Sequence, residues 1–300
     1  MTESAHSPDT AVMPAARPSS GRRGRGARIW RTLRKAPPTA WFGMIVIGIY
    51  LLTAIFAHWL APYSETALVG GAYEPWGEQF LLGTDQLGRD MLSRLIYGAR
   101  NTVGIAFVTT LLSFAVGGVL GLIAAVSGGW IDQVLGRMID VLMAIPQLIF
   151  ALVLLSILGS SIVNLILIIA LLDSTRVFRL SRSVSQGVVV MDYVEAARLR
   201  GEKLPWIMGR EILPNIMPPL VAEFGLRFCF VFLTVAALSF LGLGIQPPTA
   251  DWGSMVRDNA ALITYGDITP LLPAGAIALL TVAVNFVVDW FLHKASGLRE

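Results

Sequence analysis

Side chains able to do chemistry are scarce in this chain, and they gather in three places. One is Asp192-Tyr193-Val194-Glu195-Ala196-Ala197-Arg198-Leu199-Arg200-Gly201, running on to Ile212-Leu213-Pro214-Asn215. There the cations Arg198, Arg200, Lys203 and Arg210 interleave with the anions Asp192, Glu195, Glu202 and Glu211, between two long apolar runs. The second is Leu82-Gly83-Thr84-Asp85-Gln86-Leu87-Gly88-Arg89-Asp90-Met91-Leu92-Ser93-Arg94. The third is Glu223 with Arg227, four positions apart inside an apolar stretch. None has the make-up of a reaction centre. Paired histidines, a Gly-x-Ser-x-Gly elbow and a carboxylate dyad are absent from the apolar runs, and no Gly-x-x-x-x-Gly-Lys-Ser/Thr phosphate loop occurs. Cys229 is the lone cysteine, and His6, His58 and His293 are scattered, so neither a disulfide framework nor a metal cluster is expected.

Each group still has a physical reading. Ala196 and Ala197 favour helix and carry little bulk, so another surface can approach them closely. Gly201 suits a left-handed helix stop. Pro214, with φ fixed and no N–H, suits the first turn of the next helix. In the second group, Thr84 or Asp85 is placed to cap a short helix, and Asp90 with Arg94 makes an i,i+4 pair. Leu87, Met91 and Leu95 share one face, as in a helix lying along a membrane surface. An unpaired charge within a membrane costs several kcal/mol. Glu223 and Arg227 therefore either pair for structure or border a wet path for a solute, and the sequence leaves both open.

What must position these groups is a set of membrane-crossing helices. Apolar residues make up 55% of the chain and charged ones 14%, and the mean hydropathy is +0.66. That is the balance of a multi-span membrane protein. The net charge of +3 comes from cations set beside apolar runs, which points to membrane orientation rather than nucleic acid. Residues 1–40 read as a disordered basic tail. Trp41–Leu60 is the first span, too late and too long for an ordinary signal peptide. Residues 61–102 form an external loop with the interfacial helix, and Val103–Val126 is the second span, with Gly117, Gly118 and Gly121 for close packing. The third span leads in from Asp132, kinks at Pro146 and ends near Leu158. The fourth ends near Leu172, with Arg176, Arg179 and Arg182 following on one face of a helix that leaves the bilayer; the fifth runs from Pro214 to Leu243, and the sixth is Thr269–Leu292. Residues 183–213 are the loop between the fourth and fifth, and residues 293–300 a C-terminal tail. With the N-terminus inside, the basic tail, Arg137, the seven cations from Arg176 to Arg210, Lys294 and Arg299 all fall on the inner face. Only Arg89, Arg94, Arg100 and Arg257 fall outside, which places both termini in the cytoplasm.

Glu195-Ala196-Ala197, with Gly201 four positions on and Leu213-Pro214 twelve beyond that, resembles the EAA loop of ABC importer permeases. Gly83-Thr84-Asp85-Gln86-Leu87-Gly88-Arg89-Asp90 is more specific. It resembles the lead-in to the second span in the C-type permeases of the dipeptide, oligopeptide and nickel importers. Leu238-Ser239-Phe240-Leu241-Gly242-Leu243-Gly244, Gln246-Pro247-Pro248 and Trp252-Gly253-Ser254 resemble the same subfamily. The resemblance, over residues 40–292, implies an all-α membrane protein with six transmembrane helices and the type I ABC importer (MetI-like) permease fold. It implies a bacterial inner-membrane subunit paired with a B-type permease, two ABC ATPases and an extracytoplasmic substrate-binding protein. ATP and Mg would be bound by the ATPases, with no cofactor in this chain. Glu195, Ala196, Ala197, Arg198, Gly201, Leu213 and Pro214 would couple to an ATPase. Thr84, Asp85, Gly88, Arg89 and Asp90 would form the external motif, and Glu223 and Arg227 would border the route. The implied cargo is a di- or oligopeptide, with nickel chelates, glutathione or another small solute as alternatives. A secondary transporter using Glu223 as its ion site is a different class; it would need no ATPase, and the internal repeat common in such folds is not evident here.

Overall fold

The structure, a computed structural model, describes residues 36–295. The expected basic tail 1–40 and C-terminal tail 293–300 therefore lie almost wholly outside the described residues. Where they overlap, the helices reach further than expected, beginning at Pro38 and continuing to Ala295. In order, the helices are α1 (Pro38–Ile55), α2 (Met91–Ser127), α3 (Gly129–Met143), α4 (Gln147–Leu158) and α5 (Ile162–Val189). There follow α6 (Asp192–Leu199), α7 (Leu204–Phe240), α8 (Trp252–Asn259) and α9 (Leu271–Ala295). Local chemistry sets several starts: Pro38 lies in the first turn of α1, and the Ser161 hydroxyl accepts from Asn164 N at the head of α5 (3.1 Å).

α1, α2, α7 and α9 are each long and apolar enough to cross a bilayer. α3 and α4 meet that standard only as a pair, bent by 84°. The kink expected at Pro146 is thus a full break. α5 is long enough, but Asp173, Arg176, Arg179 and Arg182 make it less apolar than the others. Contacts fix the directions. Gly43 of α1 faces Ala283 and Val287 of α9, and Tyr50 donates to Ala276 O (3.0 Å), so those two run antiparallel. Gly117 and Gly121 of α2 face Ser174 and Phe178 of α5 in the same order, so those two run parallel. The start of α1, the end of α2 and the end of α9 share one end of the bundle with α6. α8 and the loop of residues 61–90 share the other.

Several boundaries differ from those the sequence predicts, and each has a cause. The helix expected to lie along the membrane within residues 61–102 instead stands in line with the second span, joined to it by a π turn at Ala99–Val103. Its polar side chains find partners inside the protein, so nothing holds it at a surface. The helix expected to carry Arg176, Arg179 and Arg182 out of the fourth span is present, for α5 runs on past Leu172 to Val189, and there Arg179 reaches Asp140 (2.7 Å) and Arg182 reaches Asp132, both on α3. α7 begins at Leu204 rather than Pro214, with Pro205 in its first turn and a π turn at Ile207–Ile212 just ahead of Pro214. A wider turn there suits a residue that has no N–H to return to the preceding coil. The loop 183–213 is accordingly shorter, and the first span breaks at Phe56 rather than running unbroken to Leu60.

The most extensive helix contact joins α2 to α5. A β-carbon on Gly117 would run into Ser174 O, and one on Gly121 would lie 2.7 Å from Phe178 O. The backbones therefore touch, as membrane helices do where small residues allow it. Ser181 adds a hydroxyl bond to Gly118 O (3.0 Å). Gly117→Leu should destabilise the subunit by about 1–3 kcal/mol through overpacking, read as a lower melting midpoint in detergent. Gly118→Ala, where a β-carbon meets nothing within 4 Å, should melt like the parent.

Candidate functional site

At the α8 end, two stretches far apart in sequence close into one buried polar network. Asp85 is its centre. Its Oδ1 accepts from the backbone N–H of Leu87 (2.9 Å) and Arg89 (3.0 Å), and its Oδ2 meets Arg89 Nε (2.7 Å) and Arg94 Nε (3.3 Å). Arg94 thus goes to Asp85, not to Asp90 as the i,i+4 spacing predicts. Asp90 is the helix cap, a role expected of Thr84 or Asp85, and its Oδ2 accepts from Ser93 N (2.7 Å) and Ser93 Oγ (2.6 Å). Thr84 instead ties the loop, its hydroxyl donating to Gly71 O and accepting from Glu74 N, both at 2.7 Å. Gly88 has φ +77 and Gly70 O directly against it, so no other residue fits there. Leu87 is exposed while Met91 is buried, so the apolar face expected of Leu87, Met91 and Leu95 does not form.

The second stretch docks on this one. Glu65 Oε2 accepts from Ala250 N (2.7 Å) and Asn101 Nδ2 (3.1 Å), and Thr102 donates to Asp251 Oδ1 (2.9 Å). Asp251 caps α8 through Ser254 N (2.8 Å). Burial pushes its carboxyl above the usual range, and the bonds from Ser254 and Thr102 act against that. Trp252 donates from Nε1 to Leu95 O (2.9 Å) and packs on Gly98, which has no β-carbon to obstruct it.

At the opposite end lies the charged segment. α6 closes with two backbone bonds, Gly201 N to Arg198 O (2.9 Å) and Glu202 N to Ala197 O (3.2 Å), with Gly201 at φ +80. This is the left-handed stop its sequence predicts. Val194, Ala197, Ile207, Ile212 and Ile216 pack with Leu122 and Val126 of α2, and Val184 and Val188 of α5 lie against them. Glu195, Ala196, Arg198, Gly201 and Pro214 are exposed and Leu213 is half-buried. Ala197 is fully buried, so only Ala196 presents the small surface expected of both. Tyr193, Leu199, Leu204 and Trp206 are exposed beside these charges.

Within the bundle, Glu223 and Arg227 do pair, Oε1 to Nε at 2.7 Å. A third charge joins them: Arg227 Nη1 lies 3.7 Å from Asp173 Oδ1 on α5. Asp173 did not emerge from the sequence reading, although it is the lone acid in α5's apolar run. Glu65, Asn101, Thr102 and Asp251 were missed too, because their partners lie some 150 to 185 positions away.

The sequence pattern described as the binding-protein-dependent transport system inner membrane component matches residues 117–294. The chain belongs to that family. The pattern for the N-terminal transmembrane domain of oligopeptide transport permease C matches residues 24–76. This permease is 36% identical over 265 residues to the di/tripeptide transport system permease protein DppC of Pseudomonas aeruginosa, covering 86% of this chain and 85% of that one. It is 38% identical over 265 residues to the dipeptide permease DppC of Escherichia coli K12 (86% of each chain). It is 36% identical over 276 residues to the peptide transport permease SapC of E. coli O6:H1 (85% of this chain, 93% of that one). A chain of the MetNI methionine ABC transporter, in an inward-facing conformation, superposes with TM-score 0.55 at 16% identity, covering 70% of this chain and 98% of that one. A chain of an amino acid ABC transporter solved with histidines gives TM-score 0.51 at 21% identity, covering 68% and 94%. At such identities the likeness speaks for the fold alone.

The protein is thus a multi-pass inner-membrane permease subunit of the ABC transporter class, all-helical and MetI-like in fold, and a transport component rather than an enzyme. Both stretches that meet at the α8 end are ones whose residues resemble the peptide permeases. Asp85→Ala would leave Arg89 and Arg94 buried without their anion, at a cost of roughly 3–5 kcal/mol. The expected result is a permease recovered in low yield with the loop of residues 61–90 open to protease. Asp85→Glu, which keeps the charge, should fare better in the same digestion.

Proposed function

We propose that this permease forms half of the route by which an ATP-driven importer brings di- or oligopeptides across the bacterial inner membrane. The observation that carries the reading is the build of the α6 end. Its outer surface offers Glu195, Ala196, Arg198 and Gly201 with the exposed apolar side chains of Tyr193, Leu199, Leu204 and Trp206. Exposed apolar groups set among charges suit a protein partner. Its inner surface is rooted by Val194, Ala197, Ile207 and Ile212 in α2, α5 and α7. A surface gripped from outside and wedged into three helices is what a coupling element needs. An ATPase carrying ATP and Mg is the partner we assign to it, one on this subunit and one on a B-type permease that completes the pathway. A substrate-binding protein delivers cargo at the α8 end.

The orientation follows from charge. Arg198, Arg200, Lys203 and Arg210 lie at the same end as Lys294 and the start of α1, which supports a cytoplasmic position for that end by the positive-inside rule. Glu223, with about a fifth of its side chain exposed, is the charge we place along the route, with Arg227 behind it. The printed names of the relatives support peptide as the cargo class.

Gly201→Asp tests the coupling role. A β-carbon on Gly201 meets nothing within 4 Å, so the subunit itself has room for it, and the positive φ adds only about 1 kcal/mol of strain. Membrane fractions should contain the variant at near parental level, while peptide uptake should fall below a tenth. Uptake at the parental rate would contradict the coupling role.

A further inference from the structure

Asp173 has no part in anything assigned above, yet it is among the most buried charges in the protein, 1% exposed. Neither of its carboxylate oxygens has a partner of full hydrogen-bond geometry among the described residues. Ser113, across on α2, holds its hydroxyl 3.1 Å from Thr109 O and is, among the described residues, the one side-chain hydroxyl placed to turn towards Asp173. The cation nearest Asp173 is already engaged. Arg227 places Nε at 2.7 Å from Glu223 Oε1 and Nη1 at 3.7 Å from Asp173 Oδ1, and its guanidinium lies over the Phe230 ring at 4.7 Å. One guanidinium therefore stands between two carboxylates, in contact with the one on its own helix and just beyond hydrogen-bond range of the one on α5. A buried carboxylate with a single hydroxyl in reach and no cation in hydrogen-bond contact is unfavourable, and charges at membrane depth usually mark a working part of a transporter. A contact that another state of the molecule completes accounts for both.

We propose that Arg227 exchanges Glu223 for Asp173 when the transporter passes between its inward- and outward-open states, so that Asp173 latches α7 to α5 in one of them. The proposal rests on the reading of the chain as an ATP-driven importer. α7 runs from the coupling end through Arg227, and α5 carries Asp173 beside it, so a push on α6 moves one charge past the other. A displacement of about 1 Å brings Arg227 Nη1 into hydrogen-bond range. Asp173 is then a positioning residue: it meets no cargo and binds no nucleotide, but sets which state the bundle rests in.

The test uses the complete transporter in proteoliposomes, measuring peptide taken up per ATP hydrolysed. Asp173→Asn keeps the shape and removes the charge. It should assemble, lose about tenfold in uptake and hydrolyse ATP with little response to cargo-loaded binding protein. Asp173→Glu keeps the charge and reaches one methylene further. It should hold the latch closed and slow uptake several-fold without loss of assembly. In a double-mutant cycle with Arg227→Gln, which also breaks the Glu223 pair, adding Asp173→Asn should cost nothing further, since the latch contact is already gone. If Asp173→Asn moves as much peptide per ATP as the parent, or if only assembly suffers and the surviving complexes couple normally, the latch is refuted. If Asp173→Asn does not assemble, parental uptake by Asp173→Glu refutes it equally. Parental vesicles that import peptide without hydrolysing ATP would overturn the importer reading itself, a result distinguishable from failure of the latch alone.

Discussion

Two glycines on α2 hold the rest of this permease in place. Where Gly117 and Gly121 lie against Ser174, Phe178 and Ser181, the two backbones approach as closely as a pair of helices can. Lipid offers no hydrophobic incentive for helices to associate, so close van der Waals contact has to do that work. Once α2 and α5 are locked in parallel, three things follow. Phe178 closes onto Ala124 and Ile139, seating α3. Leu122 and Val126 meet the side chains under α6. Asp173, on the turn next to Ser174, is enclosed from water.

The α8 end obeys a different constraint. Residues 61–90 are largely irregular backbone, and buried irregular backbone must find partners for its N–H and C=O groups. Asp85, Thr84, Glu65 and Asp251 supply them. The charged pairs in this network bring specificity more than stability, because taking carboxylates and guanidinium groups out of water offsets most of their attraction. What the network does is fix the register of α8 against the head of α2. Gly98 and Gly253 confirm how tight the fit is: each would drive a β-carbon into Trp252 or Ala236 O.

Local signals were readable from the sequence and distant pairings were not. The left-handed stop at Gly201 and the long apolar runs depend on residues within a few positions of one another, so spacing alone reveals them, whereas the i,i+4 spacing of Glu223 and Arg227 allowed their contact without requiring it. The cap at Asp90 escaped the reading because Thr84, Asp85 and Asp90 are all good caps, and the choice among them is made by Arg89 and Arg94 turning to Asp85. The start of α7 escaped it because Pro214 is a good first-turn residue, whereas the π turn at Ile207–Ile212 lets the helix begin earlier, at Leu204. Asp173 had a local signal, a lone acid in an apolar run. Its meaning depended on Arg227, 54 positions away in sequence and brought near only by the packing of α5 on α7.

That packing joins a stiff element to a compliant one. α5 contains no proline and holds its backbone ladder from Ile162 to Val189. α7 carries the π turn at Ile207–Ile212 and prolines at 214, 218 and 219, all between the α6 end and Glu223. Pro218 and Pro219 leave the carbonyls of Pro214 and Asn215 without their helical donors, so the helix bends there more readily than elsewhere. Above Glu223 it is regular again and anchored by Phe232 and Trp252. A helix fixed at its far end, softened near its root and pushed at its base turns about the soft section. The side chains just beyond that section then move against whatever stands still beside them. In this permease those side chains are Glu223 and Arg227, and what stands beside them is α5.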